Sequence, residues 1–311
     1  MSVKNRFQYQ VATGRTTLPV AILISLVLCG ITYQGWTDLI SWITGGIIAY
    51  ILIELNTTFA LIRTRTTLPS SFFLIYFSAC PFLHTFQAVT FLPLLFIVMV
   101  FSLFRSFESP YASTTIFHAF CCMGIIGMII PQMLYLIPVL YLLMIHLRSL
   151  TPRTFFAGLL GLLTPYWLVS CYLLYQGTWL TAAREFQQQL IPVMPDYSLF
   201  GWNHYLSLGI MLVIAMLCTA QSLIHTYQDK VQTRILLRTL LIMETVSIAY
   251  ILIQPQFFNG LFPVLLICAA VFFGHFFALV FNRFTRICFG IILALLGIMT
   301  LFNLWMHFYT I

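Results

Sequence analysis

The sequence predicts an all-α fold: a polytopic bundle of about eleven membrane-crossing helices, forming a single integral membrane domain over residues 1–311. Three observations predict it. Apolar residues make up 61% of the chain and charged residues 7%, with a mean hydropathy of +1.00. A soluble domain carries about 25% charged residues, so polar groups could not cover a water-soluble fold of this composition. The apolar residues come in long continuous runs, whereas a membrane β-barrel needs alternation in segments of about 10 residues. Finally, the basic residues fall in ones, twos and threes between those runs, the spacing that orients membrane helices. The net charge of +7 therefore points to membrane topology and not to nucleic acid.

A span needs about 20 apolar residues. The runs place spans at 17–34, 41–62, 69–84, 88–104, 115–130, 133–147, 154–175, 206–224, 236–254, 260–281 and 287–307. The first run follows the basic stretch MSVKNRFQYQVATGRTT, and no small-x-small cleavage site follows it. It reads as a retained helix, not a signal peptide. Pro81 and Pro93 flank a short turn. The runs at 115–130 and 133–147 are short and separated by Pro131, and the sequence leaves open whether they cross fully or form a hairpin of half-depth helices. Eleven crossings put the termini on opposite sides. With the N-terminus in the cytoplasm, 13 of the 14 Lys and Arg residues lie inside and only Arg184 lies outside. The expected topology is N-terminus cytoplasmic and C-terminus periplasmic, in a multi-pass protein of the bacterial inner membrane.

Small residues and prolines mark helix packing. Gly158 and Gly161, and the pair Ala270 and Gly274, would let helices approach closely in lipid. Pro131, Pro138, Pro165 and Pro263 would kink or end helices, and broken helices could line a cavity. The eight cysteines lie inside apolar runs without CxxC or histidine spacing, so they read as small apolar side chains.

Chemistry has three places to sit. The first is the outer loop at 176–205. Trp179, Ala183, Phe186 and Leu190 recur at helical spacing, opposite Thr181, Arg184, Glu185 and Gln188. The pattern predicts an amphipathic helix on the outer membrane face, anchored by Trp179 and ended by Pro192 and Pro195. Arg184 could hold a phosphate through paired hydrogen bonds, with Glu185, Asp196 or His204 as acid or base. The simpler reading pairs Arg184 with lipid headgroups or with Asp196.

The second place is a set of ionisable residues inside spans: Glu54, Glu244 and His275. Counting from Arg63, Arg238 and Arg283 puts them at similar depth, about 9 to 13 Å in. They could form a proton or cation relay, or make separate polar contacts. Asn56, Thr57 and Thr58 extend the polar face beside Glu54 and should hydrogen-bond neighbouring helices. The third place is the inner loop RSFESPYASTTIFH, residues 105–118, which reads as a connection or as a dock for a partner. No Walker A, GxGxxG, HExxH, GxSxG or EF-hand sequence occurs, so no cofactor and no metal is called for. The short first outer loop, YQGWTDL, argues against glycosyltransferases that use a long acidic loop there.

The stretch LNTTFALIRTRTTLPSSFFLIYFSACPFL, from Leu55, and the helix RTFFAGLLGLLTPYWLVSCYLLY, from Arg153, resemble a family of polytopic inner-membrane proteins from Bacteroidota. The residues that carry the likeness are Asn56, Arg63, Arg65, Leu68 and Pro81, then Leu160, Gly161, Pro165 and Tyr166. The family brings no activity and no functional residue to this chain. The LLGLLTPYW helix is similar in texture to enzymes of surface-polysaccharide assembly. The expected function is a cell-envelope role, handling or assembling a lipid-linked glycan or another lipid intermediate, with Arg184 at its anionic head. The partners expected are membrane lipid, a polyprenyl-linked intermediate and other membrane proteins. A proton-coupled transporter, a non-catalytic subunit of an envelope complex and a structural protein stay open, as does whether the chain is an enzyme.

Overall fold

Proline placement explains where many of the helices begin and end. The residue before a proline is pushed out of the α region. Cys80, Ile130 and Gln254 precede Pro81, Pro131 and Pro255, and each has left the α region, with ψ of 85°, 94° and 68°. The helices Leu68–Ser78 (α4), Ser113–Ile129 (α6) and Val231–Ile253 (α11) stop there, and each proline opens a 3-10 turn. Conversely, proline in a first turn costs no hydrogen bond, and Leu92–Arg105 (α5), Ile137–His146 (α7) and Pro152–Tyr175 (α8) each carry one there.

The computed structural model describes residues 7–109, 111–191, 194–225 and 229–310. Lys4 and Arg6, two of the basic residues counted for topology, and Pro192 lie outside these. The described residues are helical, with no strand among them. Every apolar run coincides with a helix. The remaining ones are Phe7–Thr13 (α1), Thr17–Ile31 (α2), Asp38–Phe59 (α3), Trp179–Leu190 (α9), Trp202–His225 (α10), Phe258–Leu279 (α12) and Arg283–Thr310 (α13). Among the described residues, seven helices are long and apolar enough to cross a membrane, and the pair α1 and α2, bent by 86°, makes an eighth if taken as one span. This is fewer than the eleven runs. The third run, ended before Pro81, forms a helix of 11 residues, the fifth forms one of 17, and a 3-10 turn from Pro131 leaves 10 α-helical residues in the sixth. The chain is thus an all-helical membrane protein.

The chain divides into two compact units, residues 1–90 with 196–311, and residues 91–195. The first is built around α12, which is buried on all sides from Gly260 to Ala278. Small residues along it, among them Ala269, Ala270 and Gly274, let neighbouring helices approach closely. It packs against α1, α4, α10 and α11. Gly274 permits the crossing with α4, since a Cβ there would lie 2.5 Å from Pro69 Cγ. At the end of α12, Gln8 of α1 donates to the carbonyls of Phe277 and Val280, both at 3.0 Å. These are last-turn carbonyls without helical partners.

The second unit stacks α6 on α5 and α8. Glycines let α6 and α8 touch closely: a Cβ on Gly161 would collide with the Phe117 carbonyl, and one on Gly124 would lie 2.6 Å from Pro165 Cγ. Close packing of this kind drives helix association where lipid removes the hydrophobic driving force. Thr151 and Thr154 cap the start of α8 reciprocally. The 105–118 loop closes on the connection after α7. Arg148 donates to Glu108 at 3.1 Å and the Glu108 amide donates to the Leu147 carbonyl. Only Pro110 of this loop lies outside the described residues.

Candidate functional site

The best-formed polar site lies in the first unit, where the corner between α1 and α2 meets the loop between α3 and α4. Ala60 ends α3 in the left-handed region, at φ 47°, a conformation that costs an L-residue with a Cβ about 1 kcal/mol. The reversal is held by Asn56. Its Oδ1 accepts from the Ile62 amide at 3.0 Å, and its Nδ2 donates to the Thr66 carbonyl at 3.4 Å. Thr66 Oγ1 in turn donates to the Ala12 carbonyl at 2.6 Å and accepts from the Leu68 amide. These bonds tie the loop to the α1–α2 corner, and the residues they hold border an open cavity of about 460 Å³.

Three arginines line it: Arg15, Arg63 and Arg65, with five threonines and no acidic residue. Arg15 and Arg65 make no ion pair among the described residues. Thr64 Oγ1 is buried and has no hydrogen-bond partner among them. Thr13, Thr57 and Thr66 already donate to backbone carbonyls and Arg63 pairs with Asp229, while Arg15, Arg65 and Thr64 have no side-chain partner among the described residues. Guanidinium groups gathered at one opening with no lining acid suit a phosphate or another compact anion.

Arg63 is anchored from behind. Its Nε lies 2.9 Å from Asp229 Oδ1, and the other carboxylate oxygen lies 2.9 Å from His275 Nε2. The side chains of Asp229 and His275 are each 1% exposed, and that of Arg63 is 44% exposed. The buried carboxylate thus joins the α3–α4 loop, the α10–α11 connection and α12. The half-exposed Arg63 contact is worth little by itself. Leaving Asp229 or His275 without its partner in the interior is costly.

The expected sites fare differently. Arg184 and Glu185 are exposed on α9, and neither makes an ion pair or hydrogen bond through its side chain among the described residues. Helix α9 forms where the apolar stripe predicts it. Two of its residues also meet protein: Phe186 meets Tyr166 of α8 edge-on at 5.6 Å, and Tyr135 Oη donates to the Leu190 carbonyl. Trp179, expected as the membrane anchor, is 39% exposed. Asp196 and His204 belong to the other compact unit. Asp196 is fully exposed and accepts from the Ser198 amide at 2.9 Å. The Ser198 hydroxyl and amide hold its carboxyl below the usual carboxylate range. His204 accepts from the Gly201 amide and sits among Phe82, Phe200 and Phe258. It is a packed ring at the start of α10.

Glu54, Glu244 and His275 are not connected to one another. Glu54 is exposed and accepts from Thr58 Oγ1 at 3.1 Å. Its depth is overestimated by counting from Arg63, because α3 ends at Phe59 and the chain then reverses. Glu244 is buried, with Oε1 unpartnered among the described residues, in electrostatic reach of Cys218 and Cys268. His275 turns to Asp229 instead. Thr57 and Thr58 bond back to Glu54 within α3, and only Asn56 reaches beyond it.

Compared with protein-family models, curated proteins and solved structures, the chain matches none. The site is therefore read from its own geometry. Sequence reasoning missed Asp229 and the joint role of Arg15, Arg63 and Arg65. Asp229 could have been found by elimination, since the chain has only seven acidic residues and an acid beside a membrane helix needs a partner.

Proposed function

We propose that the chain is a multi-pass protein of the bacterial inner membrane that binds the phosphate-bearing head of a lipid or lipid-linked intermediate in the Arg15–Arg63–Arg65 pocket, in a cell-envelope role. The observation that carries this reading is the pocket's composition: three arginines, an orphaned buried hydroxyl and no lining acid. The topology of about eleven crossings with a cytoplasmic N-terminus and a periplasmic C-terminus belongs to the same proposal. In its support, the ends and connections of the first unit that carry basic residues gather together: Thr66 reaches Ala12, and Arg63 and His275 share Asp229. The pocket then faces the cytoplasmic headgroup layer, where each cation gains about 1 kcal/mol from anionic lipid.

The test is a thermal unfolding titration in neutral micelles with dioctanoyl phosphatidic acid. Wild-type protein should gain stability with ligand as mass action requires. The double variant Arg15→Gln, Arg65→Gln should lose most of that gain. An undiminished gain in the double variant would overturn the reading. The buried Glu244, whose Oε1 has no partner among the described residues, favours a second reading, proton-coupled transport. Glu244→Gln abolishing the phenotype that gene deletion produces, with normal protein levels, would support it; full complementation would exclude it.

A further inference from the structure

A second cavity lies in the same unit, lined by α2, α3 and α4. Helices α2 and α3 each pack against α4 but make little contact with each other. They form the walls of a groove whose floor is α4. The groove has a volume of about 330 Å³ and an almost wholly apolar lining, with Ile22 and Leu26 on one wall, Gly46 and Tyr50 on the other, and Leu74 and Phe77 on the floor. Ile53 lines both this groove and the arginine pocket, and Leu18 of the groove follows shortly after Arg15 of the pocket. Because α2 and α3 both begin or end at the pocket, the groove extends from the pocket along both helices. Between Trp42 and Ile53 its wall is about 16 Å long at 1.5 Å per residue.

The consecutive glycines Gly45 and Gly46 divide two tasks. A Cβ on Gly45 would lie 3.0 Å from the Phe77 ring, so this glycine seats α3 on the floor. A Cβ on Gly46 would meet nothing within 4 Å. That position is open space in the groove.

We propose that the groove takes one extended hydrocarbon chain of the same amphiphile whose phosphate occupies the arginine pocket. This rests on the phosphate-head reading and sharpens it: the ligand is a phosphate lipid with a long chain, not a free phosphate. Charge complementarity at one end, an apolar channel leading from it and the shared residue Ile53 select that occupant. The volume is roughly twice that of an apolar cavity that holds benzene, room for a chain of about a dozen carbons. A chain leaving lipid for the groove gains packing contacts and no hydrophobic transfer, so the groove confers selectivity and register more than raw affinity.

The experiment compares butyl phosphate with dodecyl phosphate by equilibrium titration of full-length protein in phosphatidylcholine nanodiscs. In wild type, dodecyl phosphate should bind at least ten times more tightly than butyl phosphate relative to their partitioning into empty nanodiscs. Gly46→Phe fills the groove and should remove that preference while leaving butyl phosphate binding unchanged. Unchanged dodecyl phosphate preference in Gly46→Phe overturns the groove proposal and leaves the head reading standing. Absence of butyl and dodecyl phosphate binding in wild type overturns both. Should Gly46→Phe fail to fold, wild-type protein labelled by dodecyl phosphate with a chain-end diazirine decides the matter. Labels concentrated within residues 18–53 support the groove, and labels spread evenly over the exposed helices overturn it.

Discussion

Helix α9 and the pocket between α1, α2 and the α3–α4 loop both offer arginine at a polar surface, and they are built in opposite ways. The α9 stretch is contiguous: Arg184 and Glu185 are neighbours on one exposed helix face, and no ion pair holds their side chains among the described residues. The pocket is assembled from residues far apart, with a Thr66–Ala12 bond spanning 54 positions and a His275–Asp229 bond spanning 46. Its loop is held by Asn56 and its Arg63 by a buried carboxylate. Ligand recognition depends on groups whose geometry is fixed before binding. A conspicuous polar segment therefore marks an exposed surface more readily than a preformed site.

Substitutions can break this contrast. The largest effect is expected for Asp229→Ala, which removes the buried carboxylate shared by His275 and Arg63. Breaking a buried pair of this kind costs about 3 kcal/mol, read as a drop in unfolding free energy in mixed micelles. Next comes Asn56→Ala, which removes both bonds that shape the 60–67 reversal. It should cost about 1–2 kcal/mol and weaken phosphatidic acid binding, although Asn56 carries no charge. If stability falls and binding does not, the pocket is not preorganised by that residue. Single replacements Arg15→Gln and Arg65→Gln should each weaken binding about fivefold, corresponding to about 1 kcal/mol per cation near an anionic headgroup, with stability unchanged. The smallest effect is expected for Arg184→Ala, with stability within about 0.5 kcal/mol of wild type and binding unaltered. A loss of binding there equal to that of Arg65→Gln would erase the distinction between the two regions.

The sequence makes some of these features legible and hides others for physical reasons. Continuous apolar runs locate the helices because a membrane helix satisfies its backbone internally and needs only length and apolarity. Pro81 and Pro131 are visible too, yet their effect on the helices α4 and α6, which end before the runs do, depends on the residue before each leaving the α region. The seven-residue α1 escaped notice, being too short for periodicity to register. Its role comes from Gln8 reaching carbonyls more than 260 positions away. Gly161 and Gly274 are legible as points of close approach, because small residues let membrane helices pack closely. Glu54 and Glu244 looked alike by counting depth, and only packing distinguishes the exposed one from the buried one. Arg15, Arg63 and Arg65 were legible as topology markers, whereas their convergence depends on the left-handed turn at Ala60.

The most direct test of the central claim is where the head of a phosphate lipid sits. Phosphatidic acid carrying a photoreactive group beside its phosphate should be crosslinked to wild-type protein in nanodiscs, and the attachment sites read by peptide mass spectrometry. The account predicts adducts on residues 12–17 and 56–67, lost in the Arg15→Gln, Arg65→Gln double variant. Adducts confined to residues 179–190 of α9, and unaffected by that variant, would contradict it.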